Sequence, residues 1–373
     1  MCGLNICTFG LDNCNICYVL LCLILSPLIF FVVRFESNSM NFGLFYYFVI
    51  LCLLFCFVVI SLLLYFIIYE LCSLFLFLYL FICLVSYYRL RTSFYFFMFG
   101  LFGVIFIIFV LFLVISSNFL LSLVIVFPFF IKTPTFPFFI WLPEVHCESS
   151  ISLSLFLAGL LLKLSLFGIL RFVIISFCCL FRFLCSFIYV FSFISLFIVC
   201  FSYFRFFDCK KIIAFSSILH LNLSLIAIFS LNWGGILSGI VISISHGLCS
   251  IKLFSVVGFI NIRTYCRYLD SCYFVGFGLR SLLLFMLLCN LSFPLSFNFF
   301  AELLTLVSVI SVDVYFGSLF LLSNYISTLF WFLVVNRKVS GCGVKVSVGD
   351  VVFWLLFYLC FLNIKWFFLV FLI

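Results

Sequence analysis

Five ionisable side chains stand deep inside hydrophobic runs of this chain. With the connections set aside, Glu70, Lys132, Lys163, Lys252 and Glu302 remain well inside apolar runs. At mid-bilayer one charge costs about 2.5–3.5 kcal/mol on insertion scales, so five facing lipid would cost roughly 12–17 kcal/mol. They must therefore face one another or water. Two chemistries fit: structural ion pairs that fix helix register, or titrating groups that hand protons along a path. Three lysines against two glutamates leave at least one lysine without a carboxylate of its own, and a desolvated lysine can cycle between its protonated and neutral forms near neutral pH. That favours proton transfer. His220 and His246 fall in neighbouring apolar runs and could join such a path or serve as hydrogen-bonded core residues. The third histidine, His146, is placed in a polar connection. With three His in all and no H-x-x-x-H pair, neither haem nor zinc is expected.

Proline supplies the second signal. Pro134, Pro137 and Pro143 cluster around Lys132, and Pro294 precedes Glu302 by eight residues. Interior proline breaks a helix and frees carbonyls, and broken spans beside a midplane charge are the pattern of transporters built from inverted repeats. For Pro137 a simple kink or span end is an equal alternative.

The elements that must position these residues are membrane helices. Of 373 residues, 69% are hydrophobic and 8% charged, against roughly 25% charged in soluble domains; a water-soluble fold is excluded. Runs of about 20 apolar residues span a bilayer. Twelve such spans are expected, near 18–33, 43–60, 62–86, 94–115, 118–141, 149–170, 174–200, 209–231, 235–260, 280–310, 314–335 and 351–373, in one integral membrane domain. They are too long for barrel strands and do not alternate, so helices must satisfy the backbone. The chain is thus expected to be an all-α polytopic membrane protein.

The connections check this count through the excess of Lys and Arg on cytoplasm-like faces. Odd-numbered connections hold Arg34, Arg89, Arg91, Arg205, Lys210, Lys211, Arg263, Arg267, Arg280, Arg337, Lys338 and Lys345, whereas even-numbered ones hold only Arg171 and Arg182. Both termini then lie on the outer face, and the net charge of +8 reflects topology rather than nucleic-acid binding. Residues 1–17 lack the basic flank and cleavage site of a signal peptide, which suggests insertion by the compartment that makes the protein. Sixty-three Phe beside abundant Leu, Ile, Val and Cys, all encodable by T-rich codons, point to an organellar genome. The 21 Cys keep no repeating ligand interval, and Cys14-x-x-Cys17 is a lone pair, so buried thiols are expected rather than a metal site.

Several motifs occur together. The run KTPTFPFFIWLPEVHCESS (132–150), then LAGLLLKLSLFGILRF (157–172), DCKKIIAFSSILH (208–220), SHGLCSIKLF (245–254) and FPLSFNFFAE (293–302), with YELCSL around Glu70, resemble in order the fourth mitochondrially encoded chain of NADH:ubiquinone oxidoreductase. The resemblance covers residues from about 62 to 305. It implies an antiporter-like subunit with two inverted five-helix units, here about 43–170 and 174–335, followed by a C-terminal helix at about 351–373, and a central polar axis that carries protons. By motif match Glu70 is the carboxylate of the first unit, Lys132 the lysine of its broken helix and Lys163 the connecting lysine. His246 and Glu302 match the histidine and exit-side carboxylate of the second unit. Lys252 has no counterpart, and His220 joins the path on chemistry alone. The family has fourteen spans as a rule, so the short stretch before Glu70 implies that the first two are missing; losing an even number keeps the termini outward.

Departures from the pattern are Phe139 for the histidine of the broken helix, Ala301 for the glycine before the carboxylate, Glu144 for the basic residue after W-L-P, and Ser149-Ser150 for A-P. Lys252, six residues beyond His246, is a candidate substitute for the lost imidazole. The resemblance implies a proton-translocating subunit of mitochondrial complex I in the inner membrane, both termini on the intermembrane-space side, with other membrane-arm subunits as partners and no nucleic acid. No cofactor or redox centre is expected in this chain; NADH, flavin, iron-sulfur clusters and ubiquinone would be handled by partner subunits. A sister antiporter-like subunit, a stand-alone cation/proton antiporter and a structural scaffold are the alternatives.

Overall fold

The computed structural model describes residues 13–36, 40–59, 62–82, 87–112, 126–175, 179–202, 205–206, 208–265, 267–268, 277–293 and 296–338. Among these, almost everything is helix and the only β feature is an isolated bridge between Asp208 and Tyr268. The expected span at 351–373, the start of that at 118–141, and Lys345 lie outside the described residues.

The first helices are α1 (Asn13–Glu36), α2 (Met40–Val58), α3 (Leu62–Ile82) and α4 (Tyr87–Phe112). Residues 126–132 form α5, followed by α6 (Trp141–Glu148), α7 (Ile151–Phe156), a π-turn at Leu157–Leu161, and α8 (Leu162–Ile175). Then come α9 (Cys179–Ser202), α10 (Cys209–Phe229), α11 (Trp233–Thr264), α12 (Phe277–Asn290), α13 (Phe297–Ile310) and α14 (Val314–Lys338). Among the described residues, six stretches are long and apolar enough to cross a membrane: Asn15–Val33, Leu64–Phe81, Ile151–Arg171, Cys185–Ser202, Cys209–Phe229 and Trp233–Ile262. Shorter apolar helices occupy Phe45–Val58, Phe297–Ile310 and Val314–Phe330.

The chain divides into two compact units, Met1–Phe187 and Ile188–Ile373. In the first, the stretch from α7 to α8 is wholly buried, as expected of a helix that is apolar on every side. Tyr18, Phe57 and Phe167 pack as one aromatic group, with ring centroids 5.2–5.5 Å apart. Tyr46 reaches from α2 to the Ser152 hydroxyl of α7 at 3.1 Å, and Tyr65 of α3 donates to the Leu164 carbonyl of α8. In the second unit α10 and α11 are the buried pair. Their serines stay apolar outwardly because each hydroxyl turns back on a carbonyl of its own helix, as Ser216, Ser217 and Ser224 do in α10 and Ser243, Ser245 and Ser250 in α11.

Three expectations need correction. The span expected at 280–310 is two helices, α12 and α13, parted by a turn in which Ser292 takes a positive φ of 57°. The span at 118–141 ends its helix at residue 132 and restarts at Trp141, because a cluster of prolines cannot supply the N–H groups a continuous helix requires. Arg171 belongs not to a connection but to the interior of α8. Its guanidinium donates to the Phe57 carbonyl at 3.2 Å and to that of Val59, satisfying carbonyls at the end of α2, and stacks 4.4 Å from the Phe167 ring.

Candidate functional site

The break after α5 builds the polar group of the first unit. Thr133 ends the helix with its N–H on the Phe129 carbonyl, and the chain turns through Thr135 and a cis Phe136–Pro137 peptide before α6 begins. Pro143 then falls in the first turn of α6, where no helical N–H is required. Lys132 thus terminates α5 with its side chain directed at α3, and its Nζ lies 2.8 Å from both carboxylate oxygens of Glu70. The Ser73 hydroxyl lies 3.1 Å from the same nitrogen and donates to Glu70 Oε2 at 3.0 Å. The face of Tyr69 stands 4.2 Å away, adding a cation–π contact. Lys132 is 4% exposed, so the ammonium exchanges its hydration for a carboxylate, a hydroxyl and a ring.

Lys163 lies on the same unit's buried helix, just past the π-turn. Its side chain is fully buried and its Nζ donates back to the Ala158 carbonyl at 2.5 Å. A π-turn holds one residue more than α-helical winding needs and recurs at functional positions; here it sits on the lysine.

The second unit gathers a carboxylate and two imidazoles. Glu302 extends from α13, and its Oε1 accepts from the Ser292 hydroxyl in the α12–α13 turn. His220 of α10 places Nδ1 3.5 Å from that oxygen, while its Nε2 lies 3.1 Å from the Asn290 carbonyl at the end of α12. Since a carbonyl only accepts, Nε2 carries a hydrogen, and Nδ1 is the position where His220 gains or loses a proton. His246 of α11 stacks on His220 with ring centroids 5.1 Å apart and planes 27° off parallel. Lys252 is buried further along α11.

Of the sequence-derived residues, the structure brings Glu70 together with Lys132, and His220 with His246 and Glu302. Lys163 is buried on α8, and Lys252 is buried on α11, six residues beyond His246. His146 is not in a polar connection: it is fully buried on α6, because the chain resumes a helix after the proline turn and packs that face inward. Sequence reasoning missed Ser73, Tyr69, Ser292 and Asn290. Ser73, three residues after Glu70, was legible from helical spacing; the other three depend on tertiary approach. Phe139 sits in the turn before α6, where it offers no titrating group. Among the described residues no group of three His, Cys, Asp or Glu side chains is placed to hold a metal ion.

Residues 115–327 match the protein family described as NADH:quinone oxidoreductase/Mrp antiporter, TM. The NADH-ubiquinone oxidoreductase chain 4 of Acanthamoeba castellanii is 38% identical over 188 residues, 49% of this chain and 37% of that protein. That of Chlamydomonas reinhardtii is 35% identical over 229 residues, 57% of this chain and 48% of that protein. The chain therefore spans less than half the length of these relatives. In fold it is similar to a chain of respiratory complex I from Thermus thermophilus, with a TM-score of 0.83 at 23% identity, covering 95% of this chain and 81% of that one. A chain of the archaeal membrane-bound sulfane sulfur reductase gives a TM-score of 0.86 at 15% identity, covering 95% and 79%.

Proposed function

The chain belongs to the NADH:quinone oxidoreductase/Mrp antiporter transmembrane family, and from that premise we propose that it is a proton-translocating membrane-arm subunit of NADH:ubiquinone oxidoreductase in the mitochondrial inner membrane. The observation that carries this reading is the ammonium of Lys132, buried at a helix break and held through both oxygens of Glu70. A pair in that position is an electrostatic latch. With Glu70 close, Lys132 keeps its proton; when the pair parts, a desolvated ammonium without its counter-ion gives the proton up. Lys163, on the same unit's buried helix, is the next group able to take it. In the second unit His246, His220 Nδ1 and Glu302 form a short series of titrating atoms, and Glu302 is the group from which the proton leaves.

Oxidation of NADH and reduction of ubiquinone belong to partner subunits that carry the flavin and iron-sulfur clusters, and this chain responds to their charge movements. The odd-numbered connections face the matrix, and the termini face the intermembrane space. The chain-4 relatives favour this assembly over a stand-alone antiporter.

The test is to purify the native complex through a tag on this chain, identify its neighbours, and measure NADH-driven proton uptake in proteoliposomes. Co-purification with quinone-reductase subunits and coupled proton movement are expected. Solitary chains or small homo-oligomers that exchange cations for protons would replace this reading with the stand-alone antiporter.

A further inference from the structure

The second unit holds a small cavity beside Glu302 that the series just described does not use. Its polar lining comes from His220, Asn290, Ser292, Glu302 and the α14 residues Asn324, Ser327 and Thr328. It has about 20 Å³ open to the centre of a water-sized sphere, where a single water needs about 10–15 Å³. Asn290 is 2% exposed. Its side-chain Oδ1 and Nδ2 meet no hydrogen-bonding partner among the described residues, and it lines the cavity. A buried amide in that state demands a donor and an acceptor, and water is the ligand that supplies both.

Resting on the function argued above, we propose that Asn290 is a positioning residue for proton release: its amide holds water that links Glu302 to α14, and its carbonyl fixes the tautomer of His220. The two roles come from one residue. The carbonyl occupies Nε2 of His220 and leaves Nδ1 toward Glu302. The amide belongs to the lining of the cavity that Glu302 also lines. Asn324, Ser327 and Thr328 are spaced as i, i+3 and i+4, so they share one face of α14. The hydroxyls of Ser327 and Thr328 donate to the Asn324 and Tyr325 carbonyls, which leaves their oxygens as acceptors for water. Thr328 is exposed, so this face leads from the carboxylate to the flank of the unit. A proton leaving Glu302 moves to the Asn290-bound water as that water passes one of its own along the α14 face to solvent water; Glu302 is left as a carboxylate until His220 Nδ1 hands it the next proton.

The test has two parts. A map of the native complex that resolves ordered water is expected to show water within hydrogen-bond distance of both the Asn290 amide and Glu302. No such density, or a metal cation in its place, overturns the proposal. In proteoliposomes Asn290→Leu, close in volume but unable to hold water, is expected to slow NADH-driven proton translocation per assembled complex about fivefold, the loss of one ordinary hydrogen bond. Asn290→Ser, which keeps a donor and an acceptor, restores most of it. Equal rates in both variants and the wild type, with Glu302→Gln inactive, overturn the role of Asn290 and leave the proposed function standing. Unchanged translocation in Glu302→Gln itself overturns that function in this unit. If Asn290→Leu does not assemble, the water density and the Ser variant decide.

Discussion

Removing one partner of the Glu70–Lys132 pair should cost more than removing both. Nζ lies 2.8 Å from each carboxylate oxygen, so the charge centres are about 3 Å apart. At an effective dielectric constant of about 20, unit charges at about 3 Å attract by about 5.5 kcal/mol. Most of this offsets the hydration both groups have lost. Glu70→Gln leaves the ammonium in place without a counter-charge, beside a neutral amide, the Ser73 hydroxyl and the Tyr69 ring, at an expected cost of about 3–5 kcal/mol. Glu70→Gln combined with Lys132→Met removes the stranded charge and should cost about 2–3 kcal/mol less than the Gln change alone, a coupling at the upper end for residues in contact. The assay is the rate of heat inactivation of the assembled complex at fixed temperature for the wild type, both single variants and the double. About 1.4 kcal/mol corresponds to tenfold in rate, so with its whole cost of about 3–5 kcal/mol on the barrier Glu70→Gln should inactivate about a hundred- to several-thousandfold faster, and the double variant should recover much of that. Proton translocation should be lost in all three variants. Single-variant costs that add to the double within about 0.5 kcal/mol would refute the coupling, and a double variant that pumps normally would refute the latch.

Three further outcomes are expected. Lys163→Met should leave the complex assembled with some quinone reductase activity but abolish pumping, since Met suits an apolar surround and removes only the titrating group; normal pumping in that variant would refute the relay, as measured by proton uptake in proteoliposomes. Arg171→Met should lower stability by about 1.5–3 kcal/mol, the worth of hydrogen bonds from a charged donor, because the carbonyls of Phe57 and Val59 lose it; heat inactivation reads the loss and the proton-to-electron ratio should not change. Gly235→Ala should lower assembly yield, as its Cβ would come within 2.4 Å of the Ala227 carbonyl oxygen and overpacking costs about 1–3 kcal/mol, whereas Gly234→Ala, with nothing within 4 Å, should match the wild type in quantitative blots of the complex.

The helices and the pairing of opposite charges were legible because lipid imposes one rule on every residue: an apolar run is a span, and a charge within it must have company. Glu70 and Lys132 follow from that rule directly. The proline cluster stops α5 at Lys132, and composition could announce that break without locating its restart at Trp141. His146 was misplaced because W-L-P-E-V-H-C-E reads as polar, while one face of α6 turns fully inward. The division between α12 and α13 escaped because Leu-Ser-Phe-Pro-Leu is apolar enough to pass for a continuous span. The partners of the charged groups, Ser292 and Asn290 above all, are set by how that turn folds back, which no spacing along the chain encodes.

The π-turn at Leu157–Leu161 also changes how this helix must be counted. From Ile151 to Ile175 the chain carries one residue more than α-helical twist would use, so a helical wheel drawn straight through the segment goes out of phase by about 100° across Leu157–Leu161. Lys163 stands just beyond the phase slip. A deletion of one residue within Leu157–Leu161 would convert the turn to plain α-helix and return the lysine to the same side of the rod. The same deletion just after Leu161 would leave the slip in place and swing Lys163 a quarter-turn away. In this helix an insertion or deletion acts as a rotation, and the direction in which the lysine points is held by a single surplus peptide unit.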